Sequence, residues 1–290
     1  MAVRIKGSYL VKPAEPTWNG ILPLSEWDQI GPLAHVSTIY LYKPPDNRHT
    51  SDHALITILN DSLQHALVPF YPMAGRINRI AGGRLKLHCN GMGAELIEAE
   101  YSGPLDDFGN FSSSTPRSPV TFEDLIPRVN YGKPVHELPL MLAQLTTFRS
   151  GGISLGVRIS PAAFDWQSSL HFLSERARLA RGEPLEVLPY IDRKILRARE
   201  PPSGPPRFKH MEFNQPPLLI DQQNKLDEQK KETTVAFLPL TKGQVERLKR
   251  VAGEGLLQEP GDGGRHYRIF GGLLSGKASR LLRYSRKSLD

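Results

Sequence analysis

One cysteine in 290 residues excludes a disulfide within the chain, because a bridge needs two thiols within reach of each other. Cys89 stands alone, so a cysteine-rich zinc site is excluded as well. Long apolar runs are also missing. Nowhere do ~18 consecutive apolar residues occur, the length a helix needs to cross a bilayer. The opening Met1-Ala2-Val3-Arg4-Ile5-Lys6-Gly7 has no apolar run of signal-peptide length. A cytoplasmic chain with no membrane contact and no metal is the expectation.

Clustered charge is scarce where nucleic-acid binding would need it. The net charge is +7, but residues 1–150 carry 13 Lys/Arg against 14 Asp/Glu. The excess lies in the second half, and the last thirty residues hold seven basic and two acidic side chains. The segment Arg280-Leu281-Leu282-Arg283-Tyr284-Ser285-Arg286-Lys287 offers only its charge, so it reads as a solvated or disordered end and no nucleic-acid partner is expected.

Glycine and proline, 25 of each, punctuate the rest. Residues 36–42 are β-branched and aromatic and stop at Pro44-Pro45, which predicts a buried strand. Leu55, Leu59, Leu63 and Leu67 recur every four residues before Pro69, an amphipathic helix. Gly82-Gly83 predicts a turn and residues 84–89 an alternating strand. Residues 101–119, rich in Ser, Pro and Gly, predict a loop. Met141–Phe148 and Ile153–Ile159 form a hairpin across Ser150-Gly151-Gly152, and a helix runs from Gln167 to Arg181. Thr234–Leu240 predicts a strand, Thr241–Val251 a helix and Gly253–Gly264 a loop. The fold class expected is α/β, a mixed sheet with flanking helices. Residues 1–197 form one domain, 198–232 a Pro-rich and polar linker, and 233–290 the start of a second domain.

Three segments in order carry a family resemblance. They are Leu24-Ser25-Glu26-Trp27-Asp28, then Phe70-Tyr71-Pro72-Met73-Ala74-Gly75-Arg76, then Gly151–Ser160 followed by Asp165 and a helix. Together they resemble the plant BAHD acyl-CoA-dependent acyltransferases, over residues 3–255. The opening Ile5-Lys6-Gly7-Ser8-Tyr9 with Val11-Lys12-Pro13 is most similar to the spermidine hydroxycinnamoyltransferase branch. The resemblance implies acyl-CoA as co-substrate, a small-molecule acceptor, no bound cofactor or metal, and action as a monomer.

It also implies a His-x-x-x-Asp motif after Ile153–Ile159, whose histidine is the general base that takes the acceptor's proton during attack on the thioester. An imidazole suits that task because its ordinary pKa of ~6.5 leaves it able to accept a proton near neutrality. Here Pro161 occupies the histidine's place, Asp165 matches the structural aspartate, and Trp166 replaces a usual glycine at an expected tight turn. Proline cannot accept that proton. No catalytic residue is intact in this motif. Tyr71, Pro72, Gly75 and Arg76 are implied to support the fold beside the channel. A second domain, bearing an Asp-Phe-Gly-Trp-Gly motif and much of the CoA surface, is expected to be largely missing. The functional expectation is hydroxycinnamoyl transfer to a polyamine amine or a shikimate-type hydroxyl, impaired in this chain. The alternative is a non-catalytic or small-molecule-binding remnant.

Other features have bland readings. Gly271–Ala278 nearly fits a phosphate-binding loop, but Ala278 stands where the magnesium-binding hydroxyl belongs. His171 falls among Leu170, Phe172 and Leu173 and reads as a packed or surface histidine. Cys89 reads as a buried inert thiol. Asp165 and Glu175 are divided between loop and helix and make a poor carboxylate pair. Arg76 is expected to cap a turn, and Arg158 to point outward from its strand.

Overall fold

The computed structural model describes residues 3–29, 33–44, 52–80, 83–108, 121–193 and 240–256, together with Leu196 and Gly204. In chain order these give β1 (Val3–Val11), β2 (Gly20–Pro23), α1 (Glu26–Gln29), β3 (Val36–Tyr42), α2 (Asp52–Ala66), β4 (Arg76–Arg79), β5 (Leu85–Cys89), β6 (Ala94–Tyr101), β7 (Met141–Phe148), β8 (Ile153–Ile159), α3 (Trp166–Ala180) and α4 (Lys242–Leu256). A five-stranded sheet runs β1-β6-β7-β8-β3 and a smaller one runs β2-β5-β4. β6 and β7 are parallel, and the other pairings are antiparallel. The sheet is mixed, as the α/β expectation requires.

β7 sits in the middle, and all eight of its residues are buried. A strand covered on both faces has no solvent side, and its polar residues Gln144, Thr146 and Thr147 are buried with the rest. One face of the sheet meets the leucine-spaced α2 through Leu63 and Leu67 and meets α3 through Phe172. On the opposite face Tyr101, Leu105, Phe108, Phe122, Leu125 and Phe148 form an aromatic cluster. The close approach of the 121–126 turn to β8 fixes Gly156, since a Cβ there would lie 2.1 Å from the Leu125 carbonyl oxygen.

Several strands were hidden in the sequence. β1 is largely exposed, so it shows no apolar alternation. β6 carries Glu95, Glu98 and Glu100, which pair across to Ser8, Lys6 and Arg4 of β1. The carboxylates are a feature of that strand pairing and disguise it. Leu105–Phe108 and Phe122–Leu125 are 3₁₀ turns, the first of them inside a stretch read as loop. α4 runs to Leu256 and so includes Gly253, placed in a loop by sequence. Its start is a capping box, with Thr241 N–H donating to Gln244 Oε1 at 2.8 Å and Gln244 N–H to Thr241 Oγ1 at 3.3 Å. The Gly271–Ala278 loop and nearly all of the 198–232 linker lie outside the described residues, as does 234–239 of the predicted strand.

Candidate active site

β8 ends at Ile159, and the chain turns at once through 161–163 into α3. Ser160 carbonyl closes this turn, accepting from Ala163 N–H at 3.3 Å and Phe164 N–H at 3.2 Å. Ser160 N–H donates to the Leu140 carbonyl at 2.8 Å, which extends the β7–β8 ladder by one step. The turn draws its donors from residues 163 and 164. Pro161 therefore fits it without loss: its fixed φ suits the second position of such a turn, and no N–H is needed there. It is half-buried, while Ala162 and Ala163 are fully covered. The turn at 161–163 is closed by backbone bonds, and Pro161 within it carries no titratable group.

Asp165 is the N-cap of α3, in extended backbone, and its carboxylate accepts the Ser168 N–H at 2.7 Å. Trp166 is the first residue of the helix. The expectation of a tight turn at Trp166 is corrected: the turn lies earlier, at 161–163, and a bulky residue at the first helical position meets no backbone constraint.

The ion pair that holds this turn belongs to Asp28. Arg193 Nη1 donates to Asp28 Oδ2 at 2.7 Å, and Arg193 Nη2 donates to the Ala163 carbonyl. Asp28 Oδ2 also accepts the N–H and the hydroxyl of Ser25, each at 2.8 Å. The Leu24–Asp28 segment is thus tied through Arg193 to the turn that carries Pro161. Sequence reading singled out Asp28 but gave no sign of Arg193, whose partner lies 165 residues away.

Tyr71, Pro72 and Gly75 lead directly into the smaller sheet, whose β4 begins at Arg76. Tyr71–Ala74 is a 3₁₀ turn with Pro72 near its start, closed by Gly75 N–H donating to the Pro72 carbonyl. Gly75 is required by crowding: a Cβ there would lie 2.5 Å from the His88 carbonyl oxygen. Arg76 is buried, and its Nη1 donates to the carbonyls of Gly75 at 2.7 Å and Gly93 at 2.8 Å. Burial lowers its pKa to about 10, opposed by the nearby Glu95, so the side chain stays cationic at neutral pH. Tyr71 stands edge-on to Trp18 with ring centres 5.9 Å apart. The arginine bridges two backbone segments and does more than cap one turn.

The remaining candidates are dispersed. His171 packs edge-on against Phe70, ring centres 5.1 Å apart, with Nε2 at 2.9 Å from the Val187 carbonyl. Cys89 is buried, and burial pushes its thiol up to about 12, partly offset by Arg193. Glu175 is buried within α3 and accepts the Glu186 N–H at 2.7 Å, far along the helix from Asp165 at its cap. Arg158 is half-buried and pairs with Glu123 at 3.3 Å. Among the described residues no group of three His, Cys, Asp or Glu could hold a metal ion, and no helix is long and apolar enough to cross a membrane.

A mixed sheet, a short turn after β8 and a helix capped by Asp165 make up the α/β frame of the site. The pattern of the Transferase family matches residues 1–262. The chain is 42% identical over 247 residues to hydroxycinnamoyl-CoA:piscidic acid hydroxycinnamoyltransferase of Actaea racemosa, an alignment covering 85% of this chain and 53% of that protein. It is 38% identical over 251 residues to shikimate O-hydroxycinnamoyltransferase of Nicotiana tabacum, covering 86% and 55%. The crystal structure of vinorine synthase matches with a TM-score of 0.59 at 23% identity, over 86% of this chain and 56% of that one. The chain belongs to this Transferase family, the BAHD acyl-CoA-dependent acyltransferases. It spans about half the length of the curated relatives it matches.

Proposed function

We propose that this chain derives from a hydroxycinnamoyl-CoA-dependent acyltransferase and that its own turnover is impaired because Pro161 stands where the general base would be. The co-substrate is an acyl-CoA, and the acceptor is a small molecule: a polyamine amine or a shikimate-type hydroxyl. The names of the relatives support the acyl donor. The reaction joins the acceptor's nitrogen or oxygen to the thioester carbonyl, releases CoA as its thiol, and moves one proton from acceptor to leaving sulfur. Residue 161 itself cannot take that proton, and the general-base contribution of the usual ~10²–10⁴-fold that a histidine there would supply is forfeited.

The observation that carries this reading is the intact turn around an absent base. The Ser160 carbonyl, the Asp165 cap and the Arg193 contact all build the local frame, and Pro161 is the position in it that offers no titratable group. Residues 1–197 serve as the N-terminal domain, 198–232 as the crossover linker and 233–290 as the start of the second domain. The chain works as a monomer in the cytoplasm, and Tyr71, Pro72, Gly75 and Arg76 hold the fold.

A second reading, a non-catalytic remnant that still binds small molecules, is favoured by the same proline. Thioester release from p-coumaroyl-CoA separates the two, measured with spermidine and with shikimate on the wild-type chain and on Pro161→His. Turnover gained by Pro161→His supports the acyltransferase reading and names the acceptor. Silence in both variants, with both folded, leaves the non-catalytic reading.

A further inference from the structure

Nine asparagines occur in the chain, and two of them, Asn19 and Asn90, stand directly before glycine. In such a pair the glycine nitrogen approaches the preceding side-chain amide freely, because no Cβ crowds it. The fold treats the two pairs differently. Gly20 is the first residue of β2, paired with Cys89 of β5, and a Cβ added to it would strike the Trp18 indole. Its peptide is held in the ladder. Asn90 and Gly91 lie outside any strand, in the 90–93 connection between β5 and β6.

Around Asn90 the groups needed for cyclisation are open. Gly91 has a φ of +62°, and its N–H meets no acceptor among the described residues. A Cβ built on it would find nothing nearer than Thr17 Oγ1 at 4.0 Å. Met92 N–H donates to Asn90 Oδ1 at 3.3 Å, which folds the side chain back along the Asn90–Gly91 peptide. Asn90 Nδ2 has no partner among the described residues and is not shut away from water.

We propose that Asn90 is a site of spontaneous deamidation, arranged by the β5–β6 connection and needing no enzyme. The Gly91 nitrogen gives its proton to hydroxide and bonds to Asn90 Cγ. Negative charge then collects on Oδ1, where the Met92 N–H receives it. The Cγ–Nδ2 bond breaks, ammonia leaves with a proton from water, and a five-membered imide remains. Water opens the imide on either side. Cleavage of the Cγ–N bond gives aspartate, and cleavage of the backbone C–N bond gives isoaspartate. In sum, one water turns the amide into a carboxylate and ammonium, with no oxidant or reductant. Isoaspartate runs the main chain through Cγ and adds one backbone atom to the connection. That atom enters beside Gly93, whose carbonyl accepts from Arg76 Nη1 at 2.8 Å and whose N–H donates to the Ala74 carbonyl at 3.0 Å. The inference stands apart from the acyltransferase reading, because it needs no turnover.

Ageing the 290-residue chain at pH 7.4 and 37 °C, native and in guanidinium chloride, tests it. Peptide mass spectrometry follows the gain of about one dalton at each asparagine, and fragmentation separates aspartate from isoaspartate. In the native chain Asn90 is expected to convert at least about tenfold faster than Asn19, whose peptide must first leave the ladder. In guanidinium chloride the two rates should converge, since both pairs are then alike. Raising the pH to 8.4 should speed native Asn90 by up to about tenfold, because the attacking nitrogen must lose its proton. A native Asn90 that converts no faster than Asn19 overturns the proposal. So does one that stays intact while the denatured chain reacts, or one whose rate ignores pH. Gly91→Ala, admitted by the open space there, should slow Asn90 and leave Asn19 unchanged. An unchanged Asn90 rate in that variant overturns attack by the residue 91 nitrogen. If the variant does not fold, the wild-type comparison decides alone.

Discussion

Arg193 and Asp28 form a 2.7 Å ion pair across 165 positions of sequence, and the same guanidinium holds the Ala163 carbonyl of the turn after β8. Both side chains are about four-fifths buried, at 19% and 21% exposure. Their bond is therefore shielded from water more than a surface pair is.

Arg193→Ala should lower stability by about 1.5–3 kcal/mol, the usual range for a charged hydrogen bond lost from a covered site. Asp28 and the Ala163 carbonyl lose a donor together. Urea unfolding followed by tryptophan fluorescence reads the change, and an unmoved midpoint would show that the bridge adds nothing. Arg193→Lys should recover only part of the loss, since one ammonium cannot reproduce the fork.

Gly75→Ala should cost about 1–3 kcal/mol, because the added Cβ meets a backbone oxygen at 2.5 Å and neither strand can yield without breaking the β4–β5 pairing. The thermal midpoint against wild type is the check. Equal midpoints would mean that the backbone there relaxes freely.

Arg76→Leu removes both carbonyl bonds from the Gly75–Gly93 contact and should cost about 1–3 kcal/mol for each acceptor left dry. Gly93 N–H donates to the Ala74 carbonyl at 3.0 Å and keeps the segments in partial contact, so the loss should fall near the lower bound. Unfolding free energies for Arg76→Leu and Arg76→Lys, side by side, distinguish lost bridging from lost charge.

Cys89 should resist thiol reagents at pH 8 in the folded chain and react at once in urea. Its thiol is held at about 12 against the ordinary 9.0, so folding favours the protonated form. This contribution is fully present below pH 9 and is lost as pH rises toward 12, at up to about 1.4 kcal/mol per unit. Denaturation midpoints at pH 8 and pH 10.5 should therefore converge in Cys89→Ala more than in wild type. Rapid labelling of the native chain would contradict the assignment.

The helices and the central hairpin were legible because their patterns are periodic. Leu55 to Leu67 marked α2, and Gly151-Gly152 between Met141–Phe148 and Ile153–Ile159 marked the hairpin. β1 and β6 were illegible because their stabilising contacts are polar and lie between strands, as in Arg4 with Glu100 and Lys6 with Glu98. The candidate site was half legible. Pro161 and Asp165 were found by motif, while Arg193 and Tyr131 carry no local signal and acquire meaning only through their distant partners.

The chain's motifs carried the resemblance to its family, its patterning gave the mixed α/β class, and the identity of residue 161 set the chemistry it cannot perform, since a side chain's ability to take a proton is a property of its covalent structure. Only the tertiary structure decided that Pro161 sits in a closed turn, that Asp28 takes Arg193, that Trp166 begins a helix and that His35 meets Tyr131. Those are distances between residues far apart in sequence, set by how sheets and helices pack.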